Sequence, residues 1–178
     1  MHSYLQRVQA AIDDAIRGLT LEQLAWRPKG KWSAAAILEH LSLTYSGTAK
    51  GLQRCLDAGR PRITPPNAGQ RLASFVVTGL RYMPPGRKAP AMVLPKGAPP
   101  ETVLDDVRRN LAAADEAISR CEAGFGSRAK IANHPILGPL TARQWRTFHL
   151  VHARHHIKQI MRIRAQIVAE TKAAAAHG

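Results

Sequence analysis

The sequence predicts an all-α chain, a helical bundle with a long Pro/Gly-rich crossover that contains a short helix. Three observations predict it. Apolar residues recur at helical spacing in four long segments. Pro and Gly crowd residues 60–100, between the second and third of these segments. No segment shows a convincing two-residue alternation of apolar and polar side chains, so no strand is expected.

The elements follow in order. Leu5, Val8, Ile12 and Ile16 set one apolar stripe, so the chain opens with a helix to about Arg17. Thr20 with Gln23 forms a capping-box pattern for a short second turn, and Pro28-Lys29-Gly30 breaks the chain. Ser33 is the N-cap of the next helix, with Trp32 and Ile37 as its hydrophobic staple. That helix places Ile37, His40, Leu41 and Thr44 on one face, continues through Leu52, Cys55 and Leu56, and ends near Gly59-Arg60-Pro61. A short helix over Gln70 to Tyr82 interrupts the crossover. From Thr102 the stripe Leu104, Val107, Leu111, Ala114, Ile118, Cys121 marks a third long helix, stopped by Gly124-Phe125-Gly126. His134 to Pro139 reads as an ordered loop. Thr141 with Gln144 is a capping box, and Leu140 with Trp145 is a staple; together they open a last helix to about Glu170. Residues 1–172 are thus one domain, and Ala173 to Gly178 a flexible small-residue tail.

Composition narrows the classes of function. The 178 residues suffice for one core, and 45% hydrophobic with 21% charged content is that of a globular chain. No apolar run approaches the ~18 residues of a membrane span, and Met1 to Asp14 lacks the apolar block of a secretory signal, so a cytoplasmic location and no membrane partner are expected. Cys55 and Cys121, far apart, form neither a disulfide framework nor a zinc motif. The formal charge is +14, from 26 Lys+Arg against 12 Asp+Glu. The basic residues, among them Arg60, Arg62, Arg81, Arg87, Lys88, Arg108, Arg109, Arg143 and Arg146, are scattered rather than blocked. With aromatics at only 5%, nucleic acid is not the expected partner.

The chemistry concentrates in Trp145 to Gln159, which holds His149, His152, His155 and His156. His152 and His156, four residues apart, share one helix face and can offer two nitrogens to one transition metal. An isolated pair at this spacing is a weak signal. Here Trp145, Phe148, His149, Gln159, Ile160 and Ile163 fall on the same face, while Arg146, Arg154, Lys158 and Arg162 point elsewhere, so the face is buried. Imidazoles in an apolar interior are costly unless paired, and a divalent ion wants neutral imidazole. His40, between Ile37 and Leu41 on another core face, supplies a third nitrogen. Three protein ligands leave a coordination position open. The bland alternative is three separate histidines, each bonded to a carbonyl. His149 is assigned to the pocket or to a role behind the ligands, with Trp145 and Gln159 beside it; His155 to the pocket rim; His134 to a backbone contact in its loop; His2 and His177 to nothing. Glu39 points about 100° from His40 and is expected at the surface. Tyr45 is expected in the core or at the rim, and the two Cys in the core.

The segment W-S-x-x-x-I-L-x-H-L at Trp32 to Leu41, followed by H-x-x-x-H-x-x-Q at His152 to Gln159, resembles the DinB-like superfamily of metal-binding four-helix bundles. H-P-I-L-G-P-L-T-x-x-Q-W at His134 to Trp145 resembles one bacterial branch of it. The likeness covers roughly Leu5 to Ile167. It implies an up-down-down-up four-helix bundle with a metal held by His40, His152 and His156. It also implies a homodimer and, in some relatives, thiol-dependent transfer, isomerisation or hydrolysis of small molecules. The chain departs from the common H-R-G-Q ending, having Ile157 and Lys158 between His156 and Gln159.

The leading expectation is therefore a divalent-metal protein, zinc or nickel before iron, acting on a small molecule such as a low-molecular-weight thiol, as a transferase or hydrolase. No separate general base is identified; His149, Glu39 and Tyr45 are candidates by position only. The alternative is a non-enzymatic binding or stress-related module whose metal only holds two helices together. A basic nucleic-acid-binding protein comes third.

Overall fold

Side-chain caps decide where most of the helices begin. The structure, a computed structural model, describes residues 1–86 and 88–176. Arg87 of the basic set and the His177–Gly178 end of the expected tail lie outside them. In chain order the helices are α1 (Ser3–Ile16), α2 (Leu21–Ala25), α3 (Ala34–Asp57), α4 (Ala68–Ser74), α5 (Pro100–Phe125) and α6 (Ala142–Ala176). The Thr20–Gln23 capping box is complete, Ser33 Oγ accepts from the Ala36 amide, and Thr141 and Gln144 exchange both bonds of a box at the start of α6. Helix α5 begins with Pro100 in its first turn and ends at Gly126, where φ is 93°. Helix α6 continues six residues past the expected end at Glu170, to Ala176; a run of alanines propagates a helix rather than ending one.

The chain is mostly helical, with its core between α1, α3, α5 and α6. Leu5, Val8 and Ile12 meet Leu38, Leu41 and Leu52, Leu111 and Ile118, and Val151, Ile160 and Ile163, all buried. Side-chain pairs give the relative directions. Asn110 donates to Ser42 Oγ, and Cys121 Sγ lies 3.7 Å from the Leu52 carbonyl, so α3 and α5 run parallel. His40 meets His152 while Tyr45 meets His149, so α6 runs antiparallel to α3. Arg108 binds Asp13 and the His2 amide donates to Asp115, so α1 runs antiparallel to α5. Among the described residues no helix is long and apolar enough to cross a membrane.

Two features depart from expectation. His134 to Pro139, read as an ordered loop, lies within a hairpin: β1 (Ala132–His134) pairs antiparallel with β2 (Gly138–Leu140). Strands of three residues are too short to show alternation in the sequence, and Pro139 argues against one there. The crossover carries less regular helix than expected over Gln70 to Tyr82. Asn67 and Gln70 form a capping box that opens α4, and after Ser74 the helix widens into a π turn over Phe75–Gly79, where the Leu80 amide reaches the Phe75 carbonyl. Among the described residues of 60–100 no ladder forms. A single parallel bridge ties Arg62 to Ala132, and Thr64 and Asn133 bond through backbone and side chain.

Gly138 is where the hairpin and the crossover meet. Its φ is 68°, and a Cβ there would stand 3.0 Å from Pro66 Cβ and 3.4 Å from Gln70 Cβ. We expect Gly138→Ala to lower the unfolding free energy by more than about 1 kcal/mol in urea denaturation, since both φ and contact oppose it. An unchanged midpoint would mean the two segments are not locked together.

Candidate metal centre

The face of α3 that meets α6 carries His40, and the facing side of α6 carries His152 and His156, one turn apart. All three are buried. His152 Nε2 lies 3.1 Å from His40 Nε2 and 3.1 Å from His156 Nε2. One ligand atom from each falls within 4.8 Å of the others. Such a group can hold a metal ion.

The outer ring nitrogens show why a cation suits it. His40 Nδ1 donates to the Val93 carbonyl at 2.8 Å, and His156 Nδ1 donates to Gln159 Oε1 at 2.8 Å. Each of these rings therefore turns an unprotonated Nε2 inward. His152 Nε2 can give a proton to one of them only. The other 3.1 Å contact then has no proton between its nitrogens, and with the His152 proton on Nδ1 instead, three inward lone pairs face one another. Protonating the cluster is opposed by burial: desolvation lowers His40, holds His152 well below the ordinary imidazole range and brings His156 to about 4, with repulsion from neighbouring imidazoles adding to the last two. A divalent ion removes the conflict, because it takes neutral imidazole lone pairs.

The surroundings fix these rings from several sides. Trp32 covers them, 5.2 Å from the His40 ring and 6.5 Å from that of His156. Phe148 stacks on His152 at 5.3 Å. Glu39, expected at the surface, is buried, because the crossover folds over it. Its carboxylate accepts from the amides of Lys96, Gly97 and Ala98 at 2.9, 3.0 and 3.2 Å. Consecutive residues of α3 thus hold the same strap, Glu39 at 96–98 and His40 at Val93. The Val93 carbonyl carries no signal in a sequence, since any residue supplies one.

The other histidines separate. His149 is fully buried, with neither ring nitrogen bonded among the described residues; it packs between Tyr45 at 5.2 Å and Trp145 at 6.1 Å and lies behind the cavity wall rather than in it. Burial alone removes Tyr45 from acid–base work, pushing its hydroxyl well above the ordinary phenol range. His155 is half-buried at the rim, 3.4 Å from Gln159 Nε2. His134 accepts from the amides of Ile136 and Leu137 at 3.1 and 3.2 Å, a backbone contact that turns the hairpin. Cys55 and Cys121 are buried and free.

The cluster opens into a cavity of about 1540 Å³. Helix α3 forms one wall, from Ile37 to Arg54. The others are α4 with its π turn, the crossover at 83–86 and 88–94, the hairpin and α6, where Trp145, Phe148 and Gln159 line it.

Two rings outside the cluster, fully buried His149 and half-buried His134, add to the chain's sensitivity to acid. Burial brings His149 to about 3, with repulsion from His134 added, and His134 to about 4. Both accept a proton more readily in the unfolded chain, at the ordinary value of 6.5. Their stabilisation is full above that pH and is lost as pH falls toward the folded values. For His149 the loss by about pH 5 is about 2 kcal/mol. We expect the urea midpoint of chelator-treated protein to fall over this range and His149→Leu to flatten the decline; an equal slope in both proteins would mean His149 is not held neutral.

Comparisons with known proteins place the sequence in a family. The Bacillus subtilis (strain 168) protein described as uncharacterized protein YuaE is 28% identical over 154 residues, 85% of this chain and 90% of its own. No solved structure matches. The family described as protein of unknown function DUF1569 matches residues 5–162, the span from the first core leucine of α1 to the turn beyond His156, and the chain belongs to it.

Proposed function

We propose that this chain is a divalent-metal protein whose three-histidine centre, His40, His152 and His156, serves small-molecule chemistry. The observation that carries the reading is the convergence of three Nε2 atoms, two of them turned inward unprotonated by Val93 and Gln159. The relative directions of α1, α3, α5 and α6 support an up-down-down-up four-helix bundle of the DinB-like kind, matching the motifs at Trp32 to Leu41 and His152 to Gln159.

A divalent ion held there supplies Lewis acidity and lowers the pKa of a bound water or thiol. The chain's own residues do the rest. The Val93 carbonyl and Gln159 orient two of the rings. Trp32 shields the cluster, and the adjoining cavity brings a reactant to its open side. Three protein ligands, not four, favour an open site over a purely structural one. Zinc or nickel suits the donor set, with iron also compatible.

The test is elemental analysis of untagged protein purified without added metal, where we expect roughly one ion per chain. His152→Ala loses most of it. His149→Ala keeps it, because that ring stands behind the wall. Gln159→Ala weakens metal affinity about 10–100-fold by freeing His156. Cobalt-substituted protein shifts its visible absorption when azide or a small thiol is added. Protein without metal in the wild type overturns the reading; metal that no exogenous ligand reaches replaces it with a structural module.

A further inference from the structure

We propose that the cavity binds a long-chain amphipathic anion, its unbranched apolar body lying along α3 and its anionic head facing the histidine cluster. The head-group assignment rests on the metal reading above; the placement of the body does not.

The shape comes from α3. The residues it presents to the cavity beyond His40 are Thr44, Gly47, Thr48, Gly51, Leu52 and, at the far end, Arg54. From His40 to Leu52 they extend about 18 Å at about 1.5 Å per residue. Two glycines four apart weaken the middle of a helix, so their presence wants a reason. Packing does not supply one. A Cβ at Gly47 would meet nothing within 4 Å, and one at Gly51 only the end of the Arg54 side chain at 3.9 Å. The missing side chains leave room in the cavity, not in a helix–helix contact.

The opposing walls say what fills that room. Leu72, Val76 and Val77 face it from α4 and the π turn, Met83 from the crossover, and Trp145 and Phe148 from α6. A short polar molecule would leave these walls in water, whereas an alkyl chain covers them. At about 1540 Å³ the cavity exceeds the roughly 300–1,000 Å³ of ordinary ligand pockets, which suits a long molecule.

Charge sets the sign of the head. Among the described residues that line the cavity there is no Asp or Glu, while Lys31, Arg54, Lys88 and Arg162 all border it. Lys31 is next to Trp32, which covers the cluster, and Arg162 lies on α6 beyond His156. Anions are drawn into the cavity and cations repelled. The inner nitrogens of the three histidines converge on one point of this wall, and an anionic donor on the head would complete what they begin.

The test titrates metal-loaded full-length protein by calorimetry with dodecanoate, butyrate and dodecyltrimethylammonium, each below its micelle concentration. Dodecanoate is expected to bind, butyrate at least about tenfold more weakly, since fewer methylenes are buried. Dodecyltrimethylammonium is expected to fail. Gly47→Leu and Gly51→Leu put a side chain into the groove and should each weaken dodecanoate at least about tenfold. Their metal content should not change, and their helicity should not fall, because leucine favours the helix and meets open space. Dodecanoate binding unaffected by both substitutions overturns the proposal. So does equal binding of the cationic surfactant. So does a dimer that Gly47→Leu dissociates while dodecanoate leaves the wild type untouched, which would make the groove a contact between copies. Metal content is read separately. Metal without dodecanoate binding sinks this inference alone. Dodecanoate binding of the same strength in metal-free protein sinks the metal-facing head group and leaves the metal reading to its own test.

Discussion

Three imidazoles removed from water and turned toward one point impose the constraint on which the rest of the site depends. Each ring is hydrogen-bonded or packed into a single orientation, and burial favours its neutral form. Neutral rings so arranged have more inward lone pairs than protons to separate them. The geometry holds only if α3 and α6 cross in one register, because a shift of one residue on either helix turns its imidazole about 100° away. The antiparallel packing of α3 on α6, the Trp32 cover and the stacking of Phe148 on His152 all serve that register. So does the turn between the hairpin and α6, where Thr141 and Gln144 fix the point from which residues 142 to 156 are counted.

Glu39 and His40 show how the crossover joins this arrangement. Successive residues on a helix point about 100° apart, yet a strap that wraps the helix can be touched by both. The Glu39 carboxylate gathers three consecutive amides, while His40 reaches a carbonyl three residues earlier in the strap. A buried carboxylate is tolerable only with such donors, and three of them satisfy it. A displacement of residues 93–98 would reach the inner nitrogen of His40 through its outer one. The crossover is therefore a structural partner of the cluster as well as a wall of the cavity.

Much of this was legible in the sequence, for reasons that can be assigned to particular residues. Caps are local, so Thr20, Ser33 and Thr141 announced their helices. Helical spacing placed His152, His156 and Gln159 on one buried face, and the odd polarity of His40 among Ile37 and Leu41 drew attention to it. What escaped depends on the chain's return upon itself. Glu39 reads as a surface residue until residues 96–98 fold over it. For His149 the sequence leaves the pocket and a place behind the ligands both open, and only the packing of Trp145 and Phe148 against it tells the two apart. The hairpin at 132–140 is too short to print a period. The two glycines of α3 were visible, but only the wall opposite gives them meaning.

The strap divides the crossover into two parts with different freedom to change length. From Pro65 to Ala89 the chain touches its surroundings through α4, a π turn and scattered side chains, and insertion or deletion there alters the cavity's outer wall without altering the cluster. Between Val93 and Ala98 the distance along the chain is fixed at both ends by adjacent residues of one rigid helix. A single residue added or removed there would force either Glu39 or His40 to release its hold. Among relatives that keep the histidine cluster, length variation should therefore concentrate before Pro90, and the spacing from 93 to 98 should be invariant even where the residues themselves are not.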